Sequence, residues 1–173
     1  KRRRQVVVAF DERSDMRTSS LRGGKGASLA EMRGLGLPVP SGFTITTTVA
    51  RGSMQTNVLP KRLQHQLVWG MEKIERATGK KFGDSQNPLL LSVRSGAEVS
   101  MPGMMDTILN LGLNDEIAEE LSVAYGDSFP QDCWHRFSVM YRAAADCDSV
   151  PRDPWTQLHG AIQAVLDSWN SER

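Results

Sequence analysis

A chain of 173 residues, 39% hydrophobic and 24% charged, can form one domain with its own core, which excludes a large multidomain machine and a disordered or low-complexity chain. Lys and Arg number 21 against 20 Asp and Glu, leaving a formal charge of +1, too balanced for nucleic acid to be the main partner, so any anionic ligand has to be argued from local residues. Cys133 and Cys147 form no CxxC pair and have no histidine at zinc-finger spacing, so free thiols in a reducing compartment are expected and no structural metal site. No apolar run reaches the roughly 18 residues of a membrane span. The basic start at 1–4 leads only into a short apolar stretch at 6–10, so neither an anchor nor a secretory signal is expected.

Residues 5–10 are β-branched and apolar and residues 11–22 polar, which predicts a strand and then a loop closed by Gly23 and Gly24. From Lys25 the pattern turns helical, with Leu29, Met32 and either Arg33 or Leu35 recurring until the glycines and prolines at 34–40 stop it. Residues 42–48, rich in Thr, Phe and Ile, predict a short second strand. Leu59, Leu63, Leu67, Met71 and Ile74 place an apolar stripe on a helix ending near Gly79, with Pro60 in its first turn. After a turn-like stretch at 83–88, the apolar run 89–93 predicts a buried central strand with Arg94 at its C-terminal mouth. Asn114 or Asp115 can cap a helix carrying Ile117, Leu121 and Ala124, and a further helix runs from Ser128 through Phe137 and Met140. The last helix puts Trp155, Leu158, Ile162, Val165, Leu166 and Trp169 on one face, with Pro154 in its first turn. The class is α+β, a small sheet with flanking helices. One subdomain is expected over 1–142, a linker over 143–153 and a final helix over 154–173.

Gly23-Gly24-Lys25-Gly26-Ala27 opens a helix directly after a loop, which aims backbone N–H groups and one ammonium at a single point, an anion-binding geometry. It is not a Walker A loop, because the upstream glycine and the following Ser or Thr are missing, and a solvated lysine on a glycine turn is the alternative. Arg94, within Ser92-Val93-Arg94-Ser95-Gly96-Ala97, suits a phosphate fork at a strand end, or else a local pair with Glu98. The segment 100–107 combines hydroxyls, glycine and methionines around Pro102 and reads as a mobile flap, or else as a methionine-lined turn plugging the core. His65, His135 and His159 all fall on predicted helices, far from one another in sequence and from any nucleophile, so no catalytic triad emerges. Glu116, Glu119 and Glu120 are explained by the helix dipole and solvation.

Three stretches, GGKGASLAEM at 23–32, PVPSGFT at 38–44 and LSVRSGA at 91–97, together with SMPGMMDTILNLGLN at 100–114, resemble the N-terminal nucleotide-binding domain of the pyruvate, phosphate dikinase family. The resemblance runs from about residue 6 to 141 and resumes at 150–173. It implies an ATP-grasp architecture with ATP between two subdomains, of which this chain covers the first. Lys25 and Arg94 match the family's phosphate-contacting lysine and arginine, Arg94 being the residue to which a catalytic role is carried over. Ser95, Gly96, Met101, Gly103 and Thr107 fall in the loop that covers the phosphates. The implied cofactors are ATP and magnesium, whose acidic ligands belong to a second half expected after Arg173. The implied partners are the remaining domains of the full enzyme, among them one bearing a phosphorylated histidine, and a second copy in a homodimer; neither nucleic acid nor a membrane is expected. None of the three histidines here stands in the matching motif. The implied compartment is the cytoplasm, or an organellar lumen in a eukaryote. The connection at 143–150 is shorter than the helical insertion that the family resemblance leads one to expect there.

The resulting expectation is the ATP-binding part of a dikinase that interconverts ATP, phosphate and pyruvate with AMP, pyrophosphate and phosphoenolpyruvate. Two alternatives stay open: the nucleotide half of another dikinase-type phosphotransferase with a different acceptor, and a non-catalytic remnant that binds a nucleotide or a protein.

Overall fold

A computed structural model describes residues 5–12, 19–49, 59–96 and 107–168 of the chain. The basic start at 1–4, the flap at 100–105 with Met101 and Gly103, Glu98 and Trp169 lie outside the described residues. Two compact units form: the chain up to Gly79 together with Gly96, and Lys80–Ser95 together with the chain from Thr107 onward.

In the first unit β1 (Val7–Ala9) pairs antiparallel with β2 (Phe43–Ile45), Val7 opposite Ile45 and Ala9 opposite Phe43. The N–H groups of Val6 and Val7 both donate to Gln66 Oε1, at 2.8 and 3.0 Å. Gln66 stands on α2 (Lys61–Thr78), so this side chain fixes the helix against the strand while satisfying two backbone donors. α2 buries the predicted stripe, Leu63, Leu67, Met71 and Ile74, and Leu59 is buried just ahead of it. Gly79 ends the helix in the left-handed conformation, its N–H donating to Glu75 O at 2.8 Å.

α1 (Ser19–Gly34) consists of two helical pieces joined by a kink at Gly23. Residues 19–22, expected as loop, are therefore helical, and the helix restarts at Gly24. Leu35, one of the two alternatives for the end of the apolar stripe, is 74% exposed, because the helix stops at Gly34 and Leu35 lies beyond its last turn. Arg33 finishes the inner face instead, Nη1 donating to Val39 O at 2.9 Å.

In the second unit β3 (Leu91–Arg94) pairs antiparallel with β4 (Thr107–Leu111), with Leu91 opposite Leu111, Val93 opposite Ile108 and Arg94 opposite Thr107. This corrects the expectation of a buried central strand at 89–93. Leu89 is buried but precedes the strand, and β3 alternates half-buried Leu91 and Val93 with exposed Ser92 and Arg94 in a two-stranded sheet. β4 is an element that the sequence reading does not predict. It moves Thr107 from a loop onto a strand. Among the described residues the α+β chain thus carries two two-stranded sheets.

The second core gathers Ile108, Leu111 and Leu113 with residues of α3 (Asp115–Tyr125), α4 (Ser128–Ala145) and α5 (Pro154–Ser168), notably Ile117, Phe137, Tyr141 and Ala161. Asn114 caps α3, Oδ1 accepting the Ile117 N–H at 2.9 Å. Ile117 and Leu121 are buried as their spacing predicts, whereas Ala124, in the last turn, is exposed. Gln157 of α5 is fully buried: Oε1 accepts the Gly112 N–H at 2.9 Å, and Nε2 donates to Leu113 O at 2.9 Å and Pro151 O at 2.8 Å. Both cysteines are free thiols, and burial pushes that of Cys133 up from its ordinary pKa. Among the described residues no helix is long and apolar enough to cross a membrane.

Candidate phosphate-binding site

Gly23 has φ 69° and ψ 170°, a backbone region that a side chain enters only at a strain of about 1–3 kcal/mol. A Cβ there would also run into the carbonyl oxygen of Gly96. Glycine is therefore required on two independent grounds, dihedral and steric. The kink it makes lets the helix begin again at Gly24, presenting the positive end of a helix dipole beside the turn. A Cβ on Gly26 would press on the Thr44 side chain, so this glycine lets the first turn sit directly on β2. Lys25 lies between the two glycines and is exposed. Ser28 Oγ donates to Gly24 O at 3.0 Å, tying the first turn to the second.

Gly96, distant in sequence, is brought against this turn within the same unit, and a Cβ on it would lie 3.7 Å from Arg22 O, ordinary contact. Arg22, passed over as part of a polar loop, is only 2% exposed. Its Nη2 donates to Glu12 O at 3.1 Å, while Nε and Nη1 are buried without an acceptor among the described residues. Burial pushes its guanidinium down from the ordinary value, against the opposing pull of the Glu12 carboxylate. That carboxylate is engaged elsewhere, accepting from Gln5 Nε2 at 2.7 Å and from Lys73 Nζ at 3.3 Å. Lys73 also reaches Asp11 at 3.5 Å and lies over the Trp69 ring, 4.8 Å from its centroid. No local sequence signal marks Arg22 as buried, because helical residues 19–22 carry no apolar period of their own.

In the second unit Arg94 is exposed at the end of β3, with Thr107 directly across the ladder at the start of β4. Ser95 follows and is buried. The sequence-predicted residues therefore sort as Lys25 and Gly96 in one unit and Arg94, Ser95 and Thr107 in the other. His65 and His135 are exposed on α2 and α4, and His159 is half-buried on α5, each on a separate helix as predicted.

The family model of the pyruvate phosphate dikinase AMP/ATP-binding domain matches residues 19–68 and 55–173. The chloroplastic pyruvate, phosphate dikinase 1 of Zea mays is 52% identical over 200 positions, covering 88% of this chain and 21% of that protein. The pyruvate, phosphate dikinase of Rickettsia bellii (strain RML369-C) is 41% identical over 198 positions, covering 87% of this chain and 23% of that protein. The chain spans less than a quarter of the length of these relatives.

Proposed function

We propose, for a chain that belongs to the pyruvate phosphate dikinase AMP/ATP-binding domain family, that the Gly23 turn and Lys25 hold the phosphates of ATP. The observation that carries this reading is the backbone of Gly23, a conformation reserved for glycine that opens a helix with an exposed lysine on its first turn. A helix start supplies N–H groups and a positive dipole end, and the ammonium adds a mobile point charge, which together suit an oxyanion. Arg94 carries a planar fork of the kind that suits phosphate oxygens, and Ser95, Gly96, Met101, Gly103 and Thr107 belong to the segment that covers the phosphates.

In phosphoryl transfer the protein acts mainly by positioning and by neutralising charge on the transferred group. Lys25 and Arg94 would do both for this chain. The full enzyme would carry the phosphoryl group to a histidine on another domain and then to pyruvate, yielding AMP, pyrophosphate and phosphoenolpyruvate, and would act as a homodimer in the cytoplasm or an organelle. Among the described residues no three His, Cys, Asp or Glu side chains stand together to hold a metal. The division into 1–142, a short connection at 143–153 and a final helix belongs to the same reading.

Titration of a fluorescent ATP analogue with wild type and Lys25→Met tests the reading. A charge-assisted bond contributes about 1.5–3 kcal/mol, so the variant is expected to bind about tenfold more weakly or worse. Equal affinities would return the turn to a purely structural role.

A further inference from the structure

We infer that Arg22 is a second cationic contact for the anion bound at the Lys25 turn, its guanidinium taking two oxygens of a polyphosphate. The inference rests on the reading of that turn as a phosphate site. Arg22 is 2% exposed, yet Nε and Nη1, which carry most of its N–H donors, have no acceptor among the described residues. A buried guanidinium is tolerated when its donors are filled, and an uncompensated one is costly. The one carboxylate that bears on it, Glu12, already accepts from Gln5 and Lys73, and Arg22 receives from Glu12 only a neutral backbone carbonyl, at 3.1 Å. The described residues leave the charge without a filled donor shell, and a bound anion would fill it.

Position identifies the class of anion. Arg22 immediately precedes Gly23, and its Cβ lies 3.4 Å from where a Gly26 Cβ would be, so the stem starts under the first turn of the Lys25 helix. Rotation about that stem exchanges one neutral carbonyl for two charged oxygens at the helix start, the planar fork-to-phosphate match that arginine makes and lysine does not. The ligand-free chain then holds a buried cation that does little for its own fold, and the same cation strengthens anion binding.

Calorimetric titration with inorganic tripolyphosphate, paired with thermal melts, tests the role in wild type, Arg22→Gln, Arg22→Lys and Lys25→Met. Gln keeps an amide donor for Glu12 O and removes the charge. Arg22→Gln is expected to weaken tripolyphosphate binding by about tenfold with the melting temperature of the free chain unchanged or raised, and Arg22→Lys to recover part of the loss. If the Gln variant does not fold, the Lys variant alone decides, by weakened binding without a lower melting temperature. Unchanged affinity in the Arg22 variants beside a weakened Lys25→Met overturns the Arg22 role alone. A loss matched by a fall in melting temperature also overturns it, showing a structural residue. No effect from any variant overturns the phosphate site itself.

Discussion

Gly23 and Gly96 touch at the backbone, yet only Gly23 is locked to glycine. An added methyl on Gly23 meets a positive φ and the Gly96 carbonyl at once, whereas one on Gly96 finds ordinary contact distance. Gly23→Ala is expected to lose about 2 kcal/mol or more of stability, and Gly96→Ala less than about 1 kcal/mol, read from urea denaturation midpoints. Gln157 is the counterpart in the second unit, where one side chain serves one N–H and two carbonyls. Gln157→Leu keeps the volume and strands all three groups, so it should cost about 3 kcal/mol or more at about 1–3 kcal/mol per unsatisfied group. A loss below about 1 kcal/mol would mean that water replaces the amide. The glycine turn and the helix start around Lys25 were legible in the sequence because their signals are local. Arg22 and Gln157 were not, since their burial comes from chain segments far away: Gly96 against the one, Gly112 and Leu113 against the other.

Helices were legible where two local signals agreed. α2 has both the stripe from Leu63 to Ile74 and a left-handed glycine at its end, and α3 has both Asn114 and its inner pair. β4 was hidden because Asn110 takes φ 60° and the pairing slips between Leu91 and Val93, so the two-residue alternation of a strand is broken. Asn110 Nδ2 donates to Cys133 O at 3.2 Å, a fixing contact from α4 that no local pattern encodes. α5 begins with a cap whose strength depends on pH. Asp153 Oδ2 accepts from the Thr156 hydroxyl and from its N–H, both at 2.7 Å, and these bonds hold the carboxyl below the usual carboxylate range. The unfolded carboxyl titrates near about 3.9, so the folded state binds fewer protons in the window below it. The stabilisation is complete above about pH 4 and is lost as pH falls through the lower folded value. Asp153 is exposed, so its worth is that of an ordinary cap: Asp153→Ala should cost about 1 kcal/mol at pH 7 and progressively less below pH 4. A pH-independent difference between the two proteins would remove the cap from the explanation.

At the scale of the molecule, the chain spans less than a quarter of its relatives' length. Phosphoryl transfer needs charge neutralised on both sides of the breaking bond, and the described residues supply cations without an acidic metal cluster. The 173 residues alone are therefore expected to bind ATP without forming AMP and pyrophosphate from ATP and phosphate. An isotope-exchange assay decides: brisk magnesium-dependent exchange by the purified chain would show that nothing further is required. Composition suggests a linker at 143–153, of which 143–145 form the end of α4, but it is silent about the passage between the two units, because the step from Gly79 to Lys80 looks like any helix end and the step from Ser95 to Gly96 cuts a motif that reads as one piece.

That interleaving has a genetic meaning. Since the first unit takes Gly96 from beyond the second unit's opening stretch, no single crossover between related genes can take the two units whole from different parents. A breakpoint after Gly79 would deliver the Gly23 turn from one parent and the backbone it rests on from another. The Gly23 turn and the Gly96 backbone against it would then come from different parents, so changes at the two positions are expected to be inherited together.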